Sequence, residues 1–189
     1  MITYSENIEE KLHELEKTQK NYWNIARETA NFLSILIKTA NSKNVLEIGT
    51  SNGYSAIWLA LALKETKGHL TTIEYWEKRQ SIARENFKIC GLDSLITPII
   101  GSAFDVMEEM LKAGQKFDFI FMDANKEEYI GYFEYADKML EKGGIITADN
   151  VLSHELKVKP FVDEIMNRPD YQTEILNLPA GLLLARKSL

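Results

Sequence analysis

Apolar positions along the chain change spacing in a regular order. Residues 6–20 are highly charged but place Ile8, Leu12 and Leu15 at helical intervals, which predicts an amino-terminal helical arm over residues 1–20 with one docking face. A second helical pattern covers residues 22–38, with Ile25, Thr29, Leu33, Leu36 and Ile37 on one side, and Asn41-Ser42-Lys43-Asn44 reads as a polar turn. Short apolar runs then alternate with helical patterns. Strands are expected at 45–48, 70–74, 96–100, 117–122 and 145–148, and helices at 54–64, 77–90, 104–113, 129–140 and 159–167. The runs at 172–176 and 182–186 flank Pro179-Ala180-Gly181 and read as a hairpin. Such alternation predicts an α/β fold with a doubly wound, mostly parallel seven-stranded sheet and an antiparallel terminal hairpin. With no repeat or linker, residues 1–189 are expected to form one domain.

Composition narrows the class. A chain of 189 residues with 45% hydrophobic content can build one sizeable core, and a net charge of −6 argues against a general polyanion binder. The single cysteine, Cys90, allows no internal disulfide, so a cytoplasmic location is expected. Residues 1–6 lack a basic region followed by an apolar segment, and no stretch approaches the length of a membrane span.

The chemistry gathers at the strand ends. In an open sheet of this kind, ligands lie beyond the carboxyl ends of the strands. The run Val45-Leu46-Glu47-Ile48-Gly49-Thr50-Ser51-Asn52-Gly53-Tyr54-Ser55 is a strand, a glycine loop and a helix start, the pattern of a nucleotide-type cofactor site. The spacing Gly49-x-x-x-Gly53 is not the dinucleotide fingerprint, and Glu47 would repel a pyrophosphate there. An acid suits a positively charged ligand instead, and S-adenosylmethionine, with its ammonium and sulfonium, is the candidate. Glu74 closes the next strand, where a ribose-binding carboxylate belongs.

A second set follows. Asp123 ends the run 117–122, and Asp149-Asn150 end the run 145–148. Two carboxylates and an amide form an oxygen-only set suited to Mg²⁺, or to Mn²⁺ or Ca²⁺, rather than to zinc. Read singly, either aspartate could equally cap a following helix. Lys126, one short loop past Asp123, is the candidate general base.

These motifs resemble the cation-dependent O-methyltransferases, the catechol and caffeoyl-coenzyme A methyltransferase family with its small bacterial members. The resemblance rests on Phe32-Leu33-x-x-Leu36-x-Lys38, Glu47-Ile48-Gly49-x-x-x-Gly53-Tyr54-Ser55, Met122-Asp123-Ala124-x-Lys126-x-x-Tyr129 and Gly143-Gly144 ahead of Asp149-Asn150-Val151-Leu152. It implies a Rossmann-like class I methyltransferase fold and a positively charged cofactor, S-adenosylmethionine, held by Glu47, Gly49, Thr50, Ser51, Gly53, Ser55, Glu74, Tyr75, Ala103 and Asp123, with Tyr75 or Phe104 beside adenine. By the same resemblance Asp123, Asp149 and Asn150 would hold the metal, Asp123 and Lys126 would serve catalysis, and Lys126 and His154 would face the acceptor. Three positions depart from the family pattern: Asn125 replaces an acid, Ile25 a polar residue of some relatives, and Ala180 the acid of an Asp-Gly pair. The implied reaction is methyl transfer to a hydroxyl of a small catechol-like or phenylpropanoid-like acceptor by a homodimer. Alternatives are a hydroxylated wobble uridine of tRNA as acceptor, a non-catalytic adenosine-ligand binding module, and a nicotinamide-dependent oxidoreductase, which the loop spacing and Glu47 disfavour.

Overall fold

A computed structural model describes residues 6–189. The expectation about residues 1–5, including the absence of a leader, lies outside the described residues. Five parallel strands form most of the sheet: β1 (Asn44–Ile48), β2 (His69–Glu74), β3 (Ile96–Ile100), β4 (Phe117–Met122) and β5 (Leu140–Ala148). The hairpin β6 (Tyr171–Leu176) and β7 (Leu182–Lys187) adds two antiparallel strands, giving the order β3-β2-β1-β4-β5-β7-β6. The expected seven-stranded, doubly wound sheet is the one observed.

Alternation along each strand divides the core into two layers. Val45, Leu70, Phe119 and Ile145 face one side, packed with α1 (Glu6–Lys17), α3 (Arg27–Ala40), α4 (Tyr54–Thr66) and α5 (Glu77–Ile89). Leu46, Ile73, Ile120 and Ile146 face the other, packed with α6 (Ala103–Lys112), α7 (Tyr129–Met139) and α8 (Glu155–Asn167). Helix α4 is apolar on all sides because the sheet and α3 enclose it. The apolar face of α1 is occupied within its own chain: Ile8, Leu12 and Leu15 are buried, and the helix packs on α5. No helix among the described residues is long and apolar enough to cross a membrane.

Several boundaries differ from expectation for identifiable reasons. The pattern read as one helix from Tyr22 is broken: a short α2 (Gln19–Tyr22) ends at Trp23 in the left-handed conformation, and α3 starts at Arg27. Strand β5 begins at Leu140, five residues before expectation, with a register shift opposite 117–119 that absorbs Gly143. Helix α8 begins at Glu155 and carries Pro160 inside it. Proline there deprives the Leu156 carbonyl of a helical donor, and Leu156 is exposed, so water can replace that bond.

Candidate active site

The sheet reverses its winding between β1 and β4, and a crevice opens beyond the carboxyl ends at that point. A cavity of about 1090 Å³ occupies it. Small-molecule sites run to roughly 300–1,000 Å³, so there is room for a cofactor and an acceptor side by side.

The cofactor half is built by the β1–α4 loop. Gly49 has φ +106°, and a Cβ there would lie 2.4 Å from the Asp123 carbonyl oxygen. Only glycine can take that backbone path so close to the neighbouring strand end. The Gly49 and Thr50 amides donate to the Ile73 carbonyl at 3.0 and 3.2 Å, tying the loop to the end of β2. Glu74 is fixed on both oxygens, accepting from the Ser51 amide and the Trp76 amide at 2.8 Å each. Two backbone donors hold its carboxylate still and leave lone pairs free for ribose hydroxyls.

Glu47 is placed differently from the other candidates. It is fully buried, and its oxygens accept from the Ser55 and Thr72 hydroxyls, each at 2.5 Å. Thr50 Oγ1 lies 2.5 Å from Thr72 Oγ1. Thr50 and Ser55 line the cavity while Glu47 stands behind them. Burial pushes the Glu47 carboxyl up to about 8, against the pull of its two hydroxyl donors, with Asp123 and Glu74 adding repulsion.

The second half lies at the tips of β4 and β5. The Asp123 amide donates to the Ile48 carbonyl at 2.9 Å and the Asp149 amide to the Met122 carbonyl at 3.1 Å, so the parallel pairing brings the two aspartates to adjoining positions. The Tyr129 hydroxyl reaches the Met122 and Asp149 carbonyls at 3.1 and 3.2 Å and braces the two tips together. Lys126 Nζ donates to Asp123 Oδ1 at 2.6 Å and to the Ala124 carbonyl at 3.0 Å. Asp149 is buried with Oδ1 unpartnered. Burial raises the proton affinity of both acids; Lys126 opposes this at Asp123, and Asp123 reinforces it at Asp149. Asn150 has φ 67°, held left-handed in a turn where its Nδ2 donates to Ser153 Oγ at 3.2 Å.

An orphaned buried carboxylate oxygen beside a second, partly buried carboxylate and an amide fits a hard cation. Among the described residues no group of three or more His, Cys, Asp and Glu side chains is arranged to hold a metal, so the set depends on Asn150 as its third member. The hairpin turn supports that member: the Leu152 and Ser153 amides donate to the Ala180 carbonyl, and the Val151 amide to the Gly181 carbonyl. A Cβ at Gly181, φ +79°, would lie 2.3 Å from Leu152.

Of the residues expected from sequence, Gly49, Thr50, Ser51, Ser55, Glu74, Tyr75, Ala103, Asp123, Lys126, Asn150 and His154 line this one cavity. Glu47, Gly53 and Asp149 do not. Gly53 is a bend packed against Phe87, with φ +86°. His154 is exposed, its Nδ1 3.0 Å from Ser153 Oγ. Asn125 caps the short turn after β4 by accepting from the Glu127 amide. The lining also includes residues that spacing did not single out: Trp23 and Asn24 before α3, Trp76 just ahead of α5, Arg79 in its first turn, and Tyr132 on α7. Trp76 directly follows Glu74-Tyr75, a signal available in the sequence; the approach of Trp23 depends on the tertiary fold.

A doubly wound sheet, a glycine loop with a ribose-type carboxylate and an acid pair on neighbouring strand tips together define a nucleotide-cofactor α/β protein of the methyltransferase class. The chain belongs to the O-methyltransferase family, whose model matches residues 2–179. It is 38% identical over 129 residues to the catechol O-methyltransferase of Niastella koreensis, covering 68% of this chain and 58% of that protein. It is 35% identical over 151 residues to the caffeoyl-CoA O-methyltransferase of Medicago sativa, covering 77% of this chain and 61% of the relative. The match thus spans about three fifths of these relatives. The crystal structure of the O-methyltransferase from Bacillus cereus in complex with SAH aligns with a TM-score of 0.88 at 29% identity, over 100% of this chain and 93% of that one.

Proposed function

We propose that the protein transfers the methyl group of S-adenosylmethionine to a hydroxyl oxygen of a small catechol-like or phenylpropanoid-like acceptor, with a divalent cation such as Mg²⁺ at Asp123, Asp149 and Asn150. The observation that carries this reading is the union of two chemistries at one cavity: a glycine loop fixed to a ribose-type carboxylate, and Asp123 and Asn150 in the lining with buried Asp149, whose Oδ1 is orphaned, next to Asn150 in the chain. The relatives named for catechol and caffeoyl-CoA, and the SAH-bound neighbour, support it.

S-adenosylmethionine would supply an electrophilic methyl group, and the cation would stabilise and orient the acceptor oxyanion. The chain's own residues do the rest. Glu74, immobilised by two backbone amides, holds the ribose hydroxyls, and Gly49 lets the cofactor approach the strand edge. Asp123 stands between the halves, 2.6 Å from Lys126 Nζ. Lys126, in the role of general base, takes the proton that leaves the acceptor hydroxyl as the O–CH₃ bond forms and the S–CH₃ bond breaks. Tyr129 keeps the β4 and β5 tips in register, so positioning comes from rigid elements.

The test is methyl transfer from labelled S-adenosylmethionine to catechols and hydroxycinnamoyl esters, with Mg²⁺ and with chelator, alongside hydroxylated and unmodified tRNA. Turnover of a catechol that is lost in chelator is expected. Equal turnover in both conditions removes the cation from the mechanism, and turnover on hydroxylated tRNA alone replaces the acceptor.

A further inference from the structure

The segment from α2 to α3 crosses the mouth of the cavity. Gln19, Tyr22, Trp23, Asn24 and Ile25 form one wall, and Tyr75, Trp76 and Arg79 stand opposite. The segment is anchored at its ends. Gln19 Nε2 donates to the Asn24 carbonyl and Asn24 Nδ2 to the Leu15 carbonyl, both at 3.1 Å, and the Ile25 side chain is buried. Its middle touches the far side at two points. Ser51 Oγ donates to the Tyr22 carbonyl at 2.7 Å, and the Arg79 guanidinium lies 4.3 Å from the Trp23 ring centroid.

Trp23 is the anomaly. It adopts φ 56°, a left-handed conformation that a bulky side chain disfavours and that glycine takes without penalty. A turn alone would be better served by glycine. Core packing does not account for the tryptophan either, because it is 72% exposed. Its ring lies against Arg79, which itself makes no ion pair among the described residues. The contact adjoins the loop that carries Ser51, whose hydroxyl donates to the Tyr22 carbonyl and whose amide donates to Glu74 at the end of β2.

We infer that residues 19–25 form a movable roof over the cofactor half of the cavity, and that the Trp23–Arg79 stack is the latch that holds it shut. This rests on reading the crevice as an S-adenosylmethionine site. Lifting the roof widens the path by which the ligand enters and leaves, and Trp23 and Arg79 act through the roof as positioning residues.

Such a latch has a kinetic signature that a structural residue or a direct ligand contact lacks. If the stack closes the roof with or without ligand, weakening it raises entry and exit rates by the same factor. Association and dissociation of S-adenosylhomocysteine, measured by surface plasmon resonance, distinguish the cases. For Arg79→Ala, both rates are expected to rise together by about two- to five-fold, the range for an exposed cation–π contact. Arg79→Lys keeps a cation over the ring and should bring both rates back toward wild type, and Trp23→Ala should reproduce Arg79→Ala. A rise in dissociation rate alone overturns the latch and makes Arg79 a ligand contact. Unchanged rates in variants that keep the wild-type Tm overturn it outright. If the wild-type protein fails to bind S-adenosylhomocysteine, the cofactor reading falls and the roof with it; binding with unaltered rates sinks the roof alone.

Discussion

Glu47→Gln should stabilise the ligand-free protein, by an amount that depends on pH. Glu47 is wholly buried between Ser55 and Thr72, and burial pushes its carboxyl from 4.5 up to about 8. The charged groups facing it are Asp123 and Glu74, both acids. In the unfolded chain the carboxyl loses its proton near its ordinary value. Between those limits the folded state therefore holds one more proton than the unfolded state, and folding stability falls as pH rises. The contribution is fully present below the ordinary glutamate range and gone above the folded value. At about 1.4 kcal/mol per pH unit, the window from 4.5 to about 8 gives on the order of 5 kcal/mol. Glutamine is uncharged throughout and reproduces the protonated acid, with one acceptor and one donor; the hydroxyl facing its amide turns to accept. Urea unfolding of both proteins from pH 5 to pH 8 isolates the effect, because every other titrating group cancels in the difference. The two should be nearly equal at pH 5 and diverge steadily, with the variant the more stable at pH 8. Parallel stability curves would mean that Glu47 is ionised in the folded protein at all these pH values, and the argument from its burial would be wrong.

Three further outcomes follow from the same geometry. Asp149→Asn removes the orphaned carboxylate and should weaken Mn²⁺ binding by at least about 10- to 100-fold, the scale of losing even a partner that only supports a ligand, while S-adenosylhomocysteine binding in calorimetry stays near wild type. Lys126→Met should lower kcat by roughly 10²- to 10⁴-fold with little change in the KM for S-adenosylmethionine, as steady-state kinetics will show. Gly181→Ala forces a Cβ to within 2.3 Å of Leu152 and strains a left-handed residue, so it should displace the Asn150 turn and reduce cation affinity more than cofactor affinity.

Much of this was legible in the sequence because the strands are apolar runs cut short by acids. Glu74, Asp123 and Asp149 could be located to the residue, and the alternation that ordered them also required a parallel sheet. What was illegible depends on contacts distant along the chain. The break at Trp23 hides inside a continuous helical pattern, since Ile25 and Thr29 keep the period across it. Gly143-Gly144 reads as a lead into a strand, yet the strand starts before them, because Leu140 pairs with Phe117. Pro160 marks no boundary, because the helix that contains it is exposed where the lost hydrogen bond falls. That Glu47 would sit behind hydroxyls rather than in the cavity follows from the register that sets it beside Thr72, which no local pattern reveals.

The four strand-end acids are satisfied in four different ways, and the differences indicate which ligand charge each can receive. Glu74 has one backbone amide on each oxygen and lone pairs to spare, and it needs no counterion, which suits a neutral diol. Glu47 has only hydroxyl donors, so its charge is favoured once a cationic ligand lies on the other side of Thr50 and Ser55. Asp123 already has Lys126, and a cation arriving there would compete with that ammonium and loosen the pair. Asp149 has an oxygen with no partner at all. Without ligands these groups leave the carboxyl edge of the sheet short of positive charge, a cost borne by the apolar layers on both of its faces. A ligand set carrying one diffuse cation near Glu47 and one hard cation near Asp149 relieves that deficit at both points. A dinucleotide, which brings negative charge to the same loop, would deepen it.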